Sequence, residues 1–142
     1  MPPLNKSLIR KKMKDLDQYL IEIEPYVSIG VEKYLKDREK RYIVGRLIQL
    51  IVEVASDINR SVIEAKDNAP SDTYYNSFTR LNELGVLSKE ISYRLASTTG
   101  LRNRLVHRYE EVEHKIVYHS AVRLLEDYRH YLKLIQKYLQ AH

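Results

Sequence analysis

The sequence has no cysteine and no tryptophan, and its 142 residues include only four glycines and four prolines. The lack of cysteine excludes disulfides, thiolate zinc sites and cysteine nucleophiles. A chain without cysteine is typical of a reducing compartment, so we expect a cytoplasmic protein. The scarcity of glycine and proline leaves few residues for tight turns, which favours a helical protein.

Long apolar runs are also absent, since no stretch approaches the apolar length that a membrane span needs. The basic segment 1–14 leads into no uninterrupted apolar run, so we expect neither a signal peptide nor a membrane partner. The net charge of +5 indicates an acidic partner, either a nucleic acid or an acidic protein. The length of 142 residues predicts one domain, covering residues 1–142.

Apolar residues recur at helical spacing along most of the chain, and no segment alternates with the two-residue period of a strand. The predicted helices cover residues 5–24, 31–65 with a break allowed near Asp37, 73–84, 89–109 and 113–139. The sequence therefore predicts an all-α protein, an up-and-down bundle of four to five helices.

Local signals place the boundaries of these helices. Pro25 should end or kink the first helix, and residues 28–30 read as a turn. Residues 67–72 form the clearest loop, and Ser88 is a predicted N-cap. The fourth helix is expected to loosen at residues 98–100, where two threonines precede a glycine.

Residues 100–109, with the sequence GLRNRLVHRY, concentrate the groups that can act on a phosphate. If this segment is helical, Asn103 and His107 share a face, because they are four residues apart. Arg102 then lies about 140° around the axis from His107, at 100° per residue. A helix distortion near Gly100 or a second subunit would bring the arginine and the histidine together.

These residue types suit metal-independent RNA cleavage. Histidine supplies a base or acid near neutral pH, and the planar fork of arginine matches phosphoryl oxygens. The ribose 2′-OH can then attack the adjacent phosphate, which leaves a 2′,3′-cyclic phosphate and a free 5′-OH. The spacing by itself is weak, because a single histidine in a basic helix is more often an ordinary surface residue.

The segment Arg102-Asn103-(x)3-His107-x-Tyr109 resembles the R-x4-H-x-Y signature of the HepT-like HEPN ribonuclease toxins. The resemblance covers essentially the whole chain in length, helix order and motif position. It extends to these further features: Gly100-Leu101, Arg41-Tyr42, the Glu53/Asp57 pair and Val117-Tyr118.

This resemblance implies a homodimeric helical bundle whose two motifs meet in a basic cleft between the subunits. It implies a metal-independent endoribonuclease toxin of a type II- or VII-like toxin–antitoxin pair, without a cofactor. Arg102 would stabilise the transition state and His107 would act as general base and acid. Asn103 would orient His107 or contact phosphate.

The partner that the resemblance implies is an MntA-like minimal nucleotidyltransferase antitoxin. In that family the antitoxin transfers AMP from ATP to the motif tyrosine, which here is Tyr109. A phenolic adenylate would add bulk and negative charge two residues from His107. It would therefore repel RNA phosphate and obstruct the cleft.

Several residues keep two interpretations. Arg104 and Arg108 are candidate contacts to the RNA backbone, or they pair with the acids at 110–111. Glu53 and Asp57 either brace an arginine of the site or are solvated or interface-paired acids.

The remaining histidines predict no metal site, because His114, His119 and His130 do not have the spacing of zinc ligands. Two other functions stay open on the sequence alone. One is a non-catalytic nucleotide- or substrate-binding partner of a separately encoded nucleotidyltransferase. The other is a structural helical adaptor that assembles complexes through its twelve tyrosines.

Overall fold

A computed structural model describes residues 3–67 and 71–142, which form six α-helices and no strand. The helices are α1 (Lys6–Val27), α2 (Val31–Lys36), α3 (Arg38–Lys66), α4 (Tyr74–Glu83), α5 (Lys89–His107) and α6 (His114–Ala141). The predicted all-α class is confirmed. The helix count is six because the second predicted helix divides at Asp37. The backbone of Asp37 is extended, and its side chain accepts a hydrogen bond from Lys40 N at 3.1 Å, which caps α3.

Helix α3 lies at the centre and contacts each of the other five α-helices, most extensively α1 and α4. Side chains from all six helices enter one hydrophobic core. Three tyrosines, Tyr34, Tyr128 and Tyr131, are among the largest fully buried side chains. The hydroxyl of Tyr131 donates to Asn59 Oδ1 at 2.6 Å, so this buried polar group is satisfied.

The turn between α1 and α2 differs from its prediction at Pro25, which does not end α1. The helix continues to Val27, whose side chain is buried in the core. It ends in the predicted turn, where Gly30 has a φ of +91° that favours glycine. The hydroxyl of Tyr118 accepts from Gly30 N at 3.0 Å and donates to Val27 O at 2.8 Å. These bonds tie the end of α1 to α6.

Helix α5 is continuous through residues 98–100, so the predicted loosening there is wrong. The hydroxyls of Thr98 and Thr99 donate to carbonyls of the preceding turn, at 2.6 and 2.7 Å. Thr98 Oγ1 also lies 2.8 Å from the hydroxyl of the buried Tyr128, which joins α5 to α6. These bonds satisfy the polar side chains without opening the helix.

Residues 68–70, within the predicted loop 67–72, lie outside the described residues. On the far side of this segment, Thr73 Oγ1 accepts from Asn76 N at 3.0 Å and caps α4. In the parts of the chain that the structure covers, 3–67 and 71–142, none of the helices has both the length and the apolarity to cross a membrane. The boundaries 1–142 of the predicted domain stay a prediction.

Candidate active site

The segment predicted to carry the chemistry occupies the last turns of α5. The helix ends at His107, and Arg108 leaves helical geometry with φ −140° and ψ 42°. Tyr109 therefore lies in a short 3₁₀ turn, Tyr109–Glu111, and not in the helix that the sequence predicted to continue through residue 109. Leaving the helix frees the Tyr109 ring from helical spacing and lets it turn back towards α3.

Arg102 is held firmly although its guanidinium is charged. Its Nη2 lies 2.6 Å from Glu53 Oε2, and its Nε donates to the same oxygen at 3.2 Å. The guanidinium also lies over the ring of Tyr74, 4.6 Å from the centroid. Only 12% of the Arg102 side chain is exposed. The guanidinium is thus oriented by side chains of α3 and α4 within the protomer.

Glu53 is the acid that braces this arginine. Burial by itself would raise the pKa of Glu53, but hydrogen bonds from Arg102 and Gln49 outweigh it and hold the pKa below its ordinary value. Asp57, one helical turn along α3, instead pairs with Lys12 at 3.5 Å and Arg60 at 3.6 Å. Of the two interpretations that the sequence left open, bracing holds for Glu53 and not for Asp57.

Asn103 joins the same hydrogen-bonded group. Its Oδ1 accepts from Arg102 Nη1 at 3.1 Å, while the side chain itself is exposed. Three of the five N–H groups of Arg102 are thereby engaged, which leaves one on each terminal nitrogen. Two parallel N–H groups of this kind match two oxygens of a phosphate.

His107 has a contrasting environment. It is exposed at the end of α5, and in the part of the chain that the structure describes it has no hydrogen bond, ion pair or ring contact. Because α5 is undistorted, Arg102 and His107 are about 7.5 Å apart along the axis and about 140° apart around it. One protomer therefore does not bring the two side chains into contact.

The ring of Tyr109 packs between α3 and α6. Its centroid lies 5.5 Å from that of Tyr42 and 5.4 Å from that of His114. A Cβ added to Gly45 would lie 3.6 Å from Tyr109 Cε2, an ordinary van der Waals distance, so the ring packs against this part of α3. The Tyr109 hydroxyl is buried and has no hydrogen-bond partner among the described residues. Burial, reinforced by Tyr42, raises the pKa of Tyr109.

Arg104 and Arg108 are both exposed. Neither forms an ion pair with the acids at 110–111 within the residues described, so the pairing interpretation is not what the structure has. Arg104 lines a pocket of about 180 Å³ between α5 and α6, together with Arg94 and Arg123.

Among residues 3–67 and 71–142, no group of three or more histidines and acids is arranged to hold a metal ion.

Two neighbours of the site were missed by the sequence analysis, Tyr74 and Gln49. Tyr74 follows the loop before α4, and its contact with Arg102 depends on the packing of α4 against α5. Gln49 donates to Glu53 Oε2 at 3.0 Å from one turn earlier on α3. Only the Gln49–Glu53 spacing of four residues is a signal that the sequence contains.

Comparisons with known proteins identify a family and several relatives to which this chain is similar. A family model described as ribonuclease HepT-like matches residues 16–135. The chain is 30% identical over 139 residues to the tRNA nuclease HepT of Aphanizomenon flos-aquae, which covers 98% of this chain and 95% of that protein. It is 30% identical over 91 residues to the mRNA nuclease HepT of Shewanella oneidensis, which covers 64% of this chain and 65% of that protein.

The fold has a close counterpart among solved structures. A chain from the complex of a tri-AMPylated Shewanella oneidensis HEPN toxin with an MNT antitoxin superimposes with a TM-score of 0.84. The two chains are 24% identical, and the alignment covers 91% of this chain and 96% of that one. At this identity the likeness shows the helical architecture.

Proposed function

Because the chain belongs to the HepT-like ribonuclease family, we propose that it is a metal-independent endoribonuclease toxin of a type II- or VII-like toxin–antitoxin pair. One observation carries the proposal: Arg102 is fixed by Glu53 at 2.6 Å and keeps two N–H groups for a ligand. His107, an exposed imidazole, lies on the same helix. A preoriented cation and an imidazole that can exchange protons are what phosphodiester cleavage without a metal requires.

In the proposed reaction, His107 takes the proton of the ribose 2′-OH, and the 2′ oxygen attacks the adjacent phosphorus. A new P–O2′ bond forms as the P–O5′ bond breaks, and an imidazolium returns a proton to the leaving 5′ oxygen. Arg102 donates its two remaining N–H groups to the phosphoryl oxygens, where negative charge develops. Asn103 keeps the guanidinium in place, and Arg104 and Arg108 contact neighbouring phosphates of the RNA.

The site is completed by a second copy of the chain. Within one protomer, about 140° of helix rotation separates Arg102 from His107, so a second motif facing the first supplies the missing partner for each. A homodimer of this kind should be seen by sedimentation at the concentrations at which RNA is cleaved. A monomer that cleaves RNA at full rate would contradict this part of the proposal.

Regulation is proposed to come from an MntA-like nucleotidyltransferase antitoxin that acts on Tyr109. The similarity to a tri-AMPylated toxin supports this assignment. The phenolic oxygen would attack the α-phosphorus of ATP, and pyrophosphate would leave as the phenol loses its proton. Because the Tyr109 hydroxyl is buried beside Tyr42 and His114, the ring has to turn outwards before it is modified. The place of action is the cytoplasm, where tRNA and mRNA are available.

Cleavage of RNA in the presence of EDTA tests the catalytic proposal. Wild-type protein should give fragments that end in 2′,3′-cyclic phosphate. Arg102→Ala and His107→Ala should lower the rate by at least about 100-fold, because each removes a group that acts in the transition state. His119→Ala, which removes a histidine of α6, should cut at the wild-type rate.

Cleavage at the wild-type rate by either motif variant would show that the assigned residues are wrong. Tight nucleotide binding by a wild-type protein that cleaves no RNA would instead favour the alternative, a non-catalytic partner subunit of a nucleotidyltransferase.

The modification is tested separately by intact-mass measurement after incubation with the cognate nucleotidyltransferase and ATP. Wild-type protein should gain one or more AMP groups and lose nuclease activity, and Tyr109→Phe should gain none. Tyr93→Phe, which changes a tyrosine that is 45% exposed on α5, should be modified like the wild type. A wild-type chain that stays unmodified would remove Tyr109 from the proposal and leave the nuclease assignment standing.

A further inference from the structure

A cavity of about 600 Å³ lies next to the anchored Arg102, where α3, α4 and α5 meet. This volume is in the range of ordinary small-ligand sites. The side chains that matter here are Arg60, Tyr74, Tyr75, Asn76, Thr99 and Asn103. None of the three α4 residues in this set was identified from the sequence, and the nuclease chemistry described above uses only Asn103.

The cavity is aligned with the catalytic face of α5. Thr99, Asn103 and His107 are successive residues at four-residue spacing, so they lie on one face of the helix. Each step along this face is about 6 Å along the axis. The cavity therefore begins one helical turn before His107, a separation that a single nucleotide can span.

Aromatic surface is available at the cavity. The Tyr74 ring is contacted by two guanidinium groups, those of Arg102 at 4.6 Å and Arg60 at 5.2 Å, and is held in place by them. The neighbouring Tyr75 side chain is 45% exposed and makes no ring contact among the described residues. An exposed ring that lines a cavity together with a guanidinium group, here Tyr75 with Arg60, is the kind of surface on which an unstacked RNA base packs.

Unused amide groups face the same space. Asn103 uses its Oδ1 to accept from Arg102 and has no partner for Nδ2 in the described part of the chain. Asn76 uses its Nδ2 to donate to Asp72 Oδ1 at 2.9 Å and has no partner there for its own Oδ1. The cavity thus offers one amide donor and one amide acceptor, the complementary pair that a nucleobase edge requires.

We propose that this cavity binds the base of a nucleotide that flanks the scissile phosphate, with Tyr75 as the stacking surface and Asn76 and Asn103 reading the base edge. This inference rests on the proposed nuclease function and deepens it, because it assigns a specificity determinant. It predicts that one position beside the cleavage point contributes to recognition through its base and not only through its phosphate.

Binding of uncleavable RNA tests the inference. The probe is a set of hexaribonucleotides with 2′-deoxy sugars at the scissile position, in which the fluorescent base 2-aminopurine replaces each base in turn. In wild-type protein, one position next to the scissile phosphate should be strongly quenched. Tyr75→Ala should abolish that quenching and weaken binding roughly 5- to 150-fold, the range for loss of one base–aromatic stack.

Two controls separate stacking from general damage. Tyr75→Phe keeps the ring and should bind like the wild type. Tyr93→Ala removes a tyrosine of equal exposure, 45%, on α5 and should also leave binding unchanged. An abasic residue at the quenched position should weaken wild-type binding at least as much as Tyr75→Ala does, because it removes the stack and the amide contacts together. It should weaken Tyr75→Ala binding clearly less than it weakens wild-type binding, since the stack is already lost.

The inference would be overturned if the abasic residue lowered the affinity of the wild type and of Tyr75→Ala by the same factor. It would also be overturned if Tyr75→Ala bound the RNA as tightly as the wild type does. A wild-type protein that quenches no position would overturn it as well. Failure of the nuclease proposal would look different, because all-ribose RNA would then stay intact while the uncleavable probe is still bound and quenched.

Discussion

Arg102 and His107 lie five residues apart on α5 but have opposite surroundings. Arg102 is 12% exposed and contacts Glu53, Asn103 and Tyr74. His107 is exposed, and the described part of the chain offers it no partner. The bundle thus organises the cation of the motif completely and leaves the imidazole to be positioned by something outside the protomer.

Under the proposed mechanism, this difference has a physical reason. A guanidinium that must stabilise developing charge benefits from being fixed in advance, because no reorganisation is then needed during the reaction. Fixing it requires an acid, and Glu53 on the central helix supplies one. An imidazole that transfers protons must reach a ribose hydroxyl, so it cannot be enclosed by its own chain. The comparison therefore predicts that substitutions near Arg102 affect stability, and that substitutions at His107 do not.

The largest expected effect concerns stability. Arg102→Ala leaves the Glu53 carboxylate, 28% exposed, without its closest partner, so we expect a loss of about 1–3 kcal/mol in the free energy of unfolding. His107→Ala removes an exposed side chain and should change the free energy by less than about 0.5 kcal/mol. Urea unfolding followed by circular dichroism measures both. If the two substitutions lower the free energy of unfolding equally, the different surroundings of Arg102 and His107 do not contribute differently to stability.

A smaller effect is expected when the brace is changed and the arginine is kept. Glu53→Gln retains the shape but removes the charge that orients Arg102, so kcat should fall roughly tenfold because the guanidinium is less well positioned. Asp57→Asn is the matched control, since Asp57 is also on α3 but pairs with Lys12 and Arg60. Its kcat should stay within about twofold of the wild type. If Asp57→Asn lowers kcat as much as Glu53→Gln does, the fall in kcat comes from the loss of a negative charge on α3 and not from the orientation of Arg102.

The smallest effect concerns His114, the first residue of α6, whose ring packs against Tyr109. Burial, with help from Arg41, lowers the pKa of His114 below its ordinary value of 6.5, and its Nδ1 is buried without a partner among the described residues. The unfolded chain then binds a proton more readily than the folded one, so stability falls as the pH drops below 6.5. His114→Phe should remove this part of the pH dependence, whereas His130→Gln, on an exposed histidine, should not. Thermal melts between pH 5 and about 8 measure it, and identical pH profiles for wild type and His114→Phe would contradict the prediction.

Sequence periodicity predicted the helical segments well because each helix buries one apolar face. It was less reliable where tertiary contacts decide. Pro25 lies inside α1 because Val27 is buried beyond it and the turn is held by Tyr118. Residues 98–100 stay helical because the threonine hydroxyls bond to the preceding turn and to Tyr128. A pattern read from neighbouring residues cannot account for contacts with residues that are distant in the sequence.

The same limit applies to the site. The motif residues were recognisable because their types and spacing are local, and resemblance to a known signature reinforced them. The partner of Arg102 was narrowed only to two candidate acids, since Glu53 is 49 residues away and Asp57 had an equal claim from the sequence. Tyr74 and Tyr75 gave no signal at all, because their relation to Arg102 exists only once α4 packs against α5.

The amino-acid sequence by itself determined the helical class and the five-residue interval between Arg102 and His107, and it allowed the break near Asp37, because these depend on periodicity and spacing along the chain. The tertiary structure alone decided which acid holds the arginine, where the Tyr109 hydroxyl is buried and which aromatic rings border the cavity beside the motif. Those features depend on side chains from different helices, and the packing of the helices sets which of them meet.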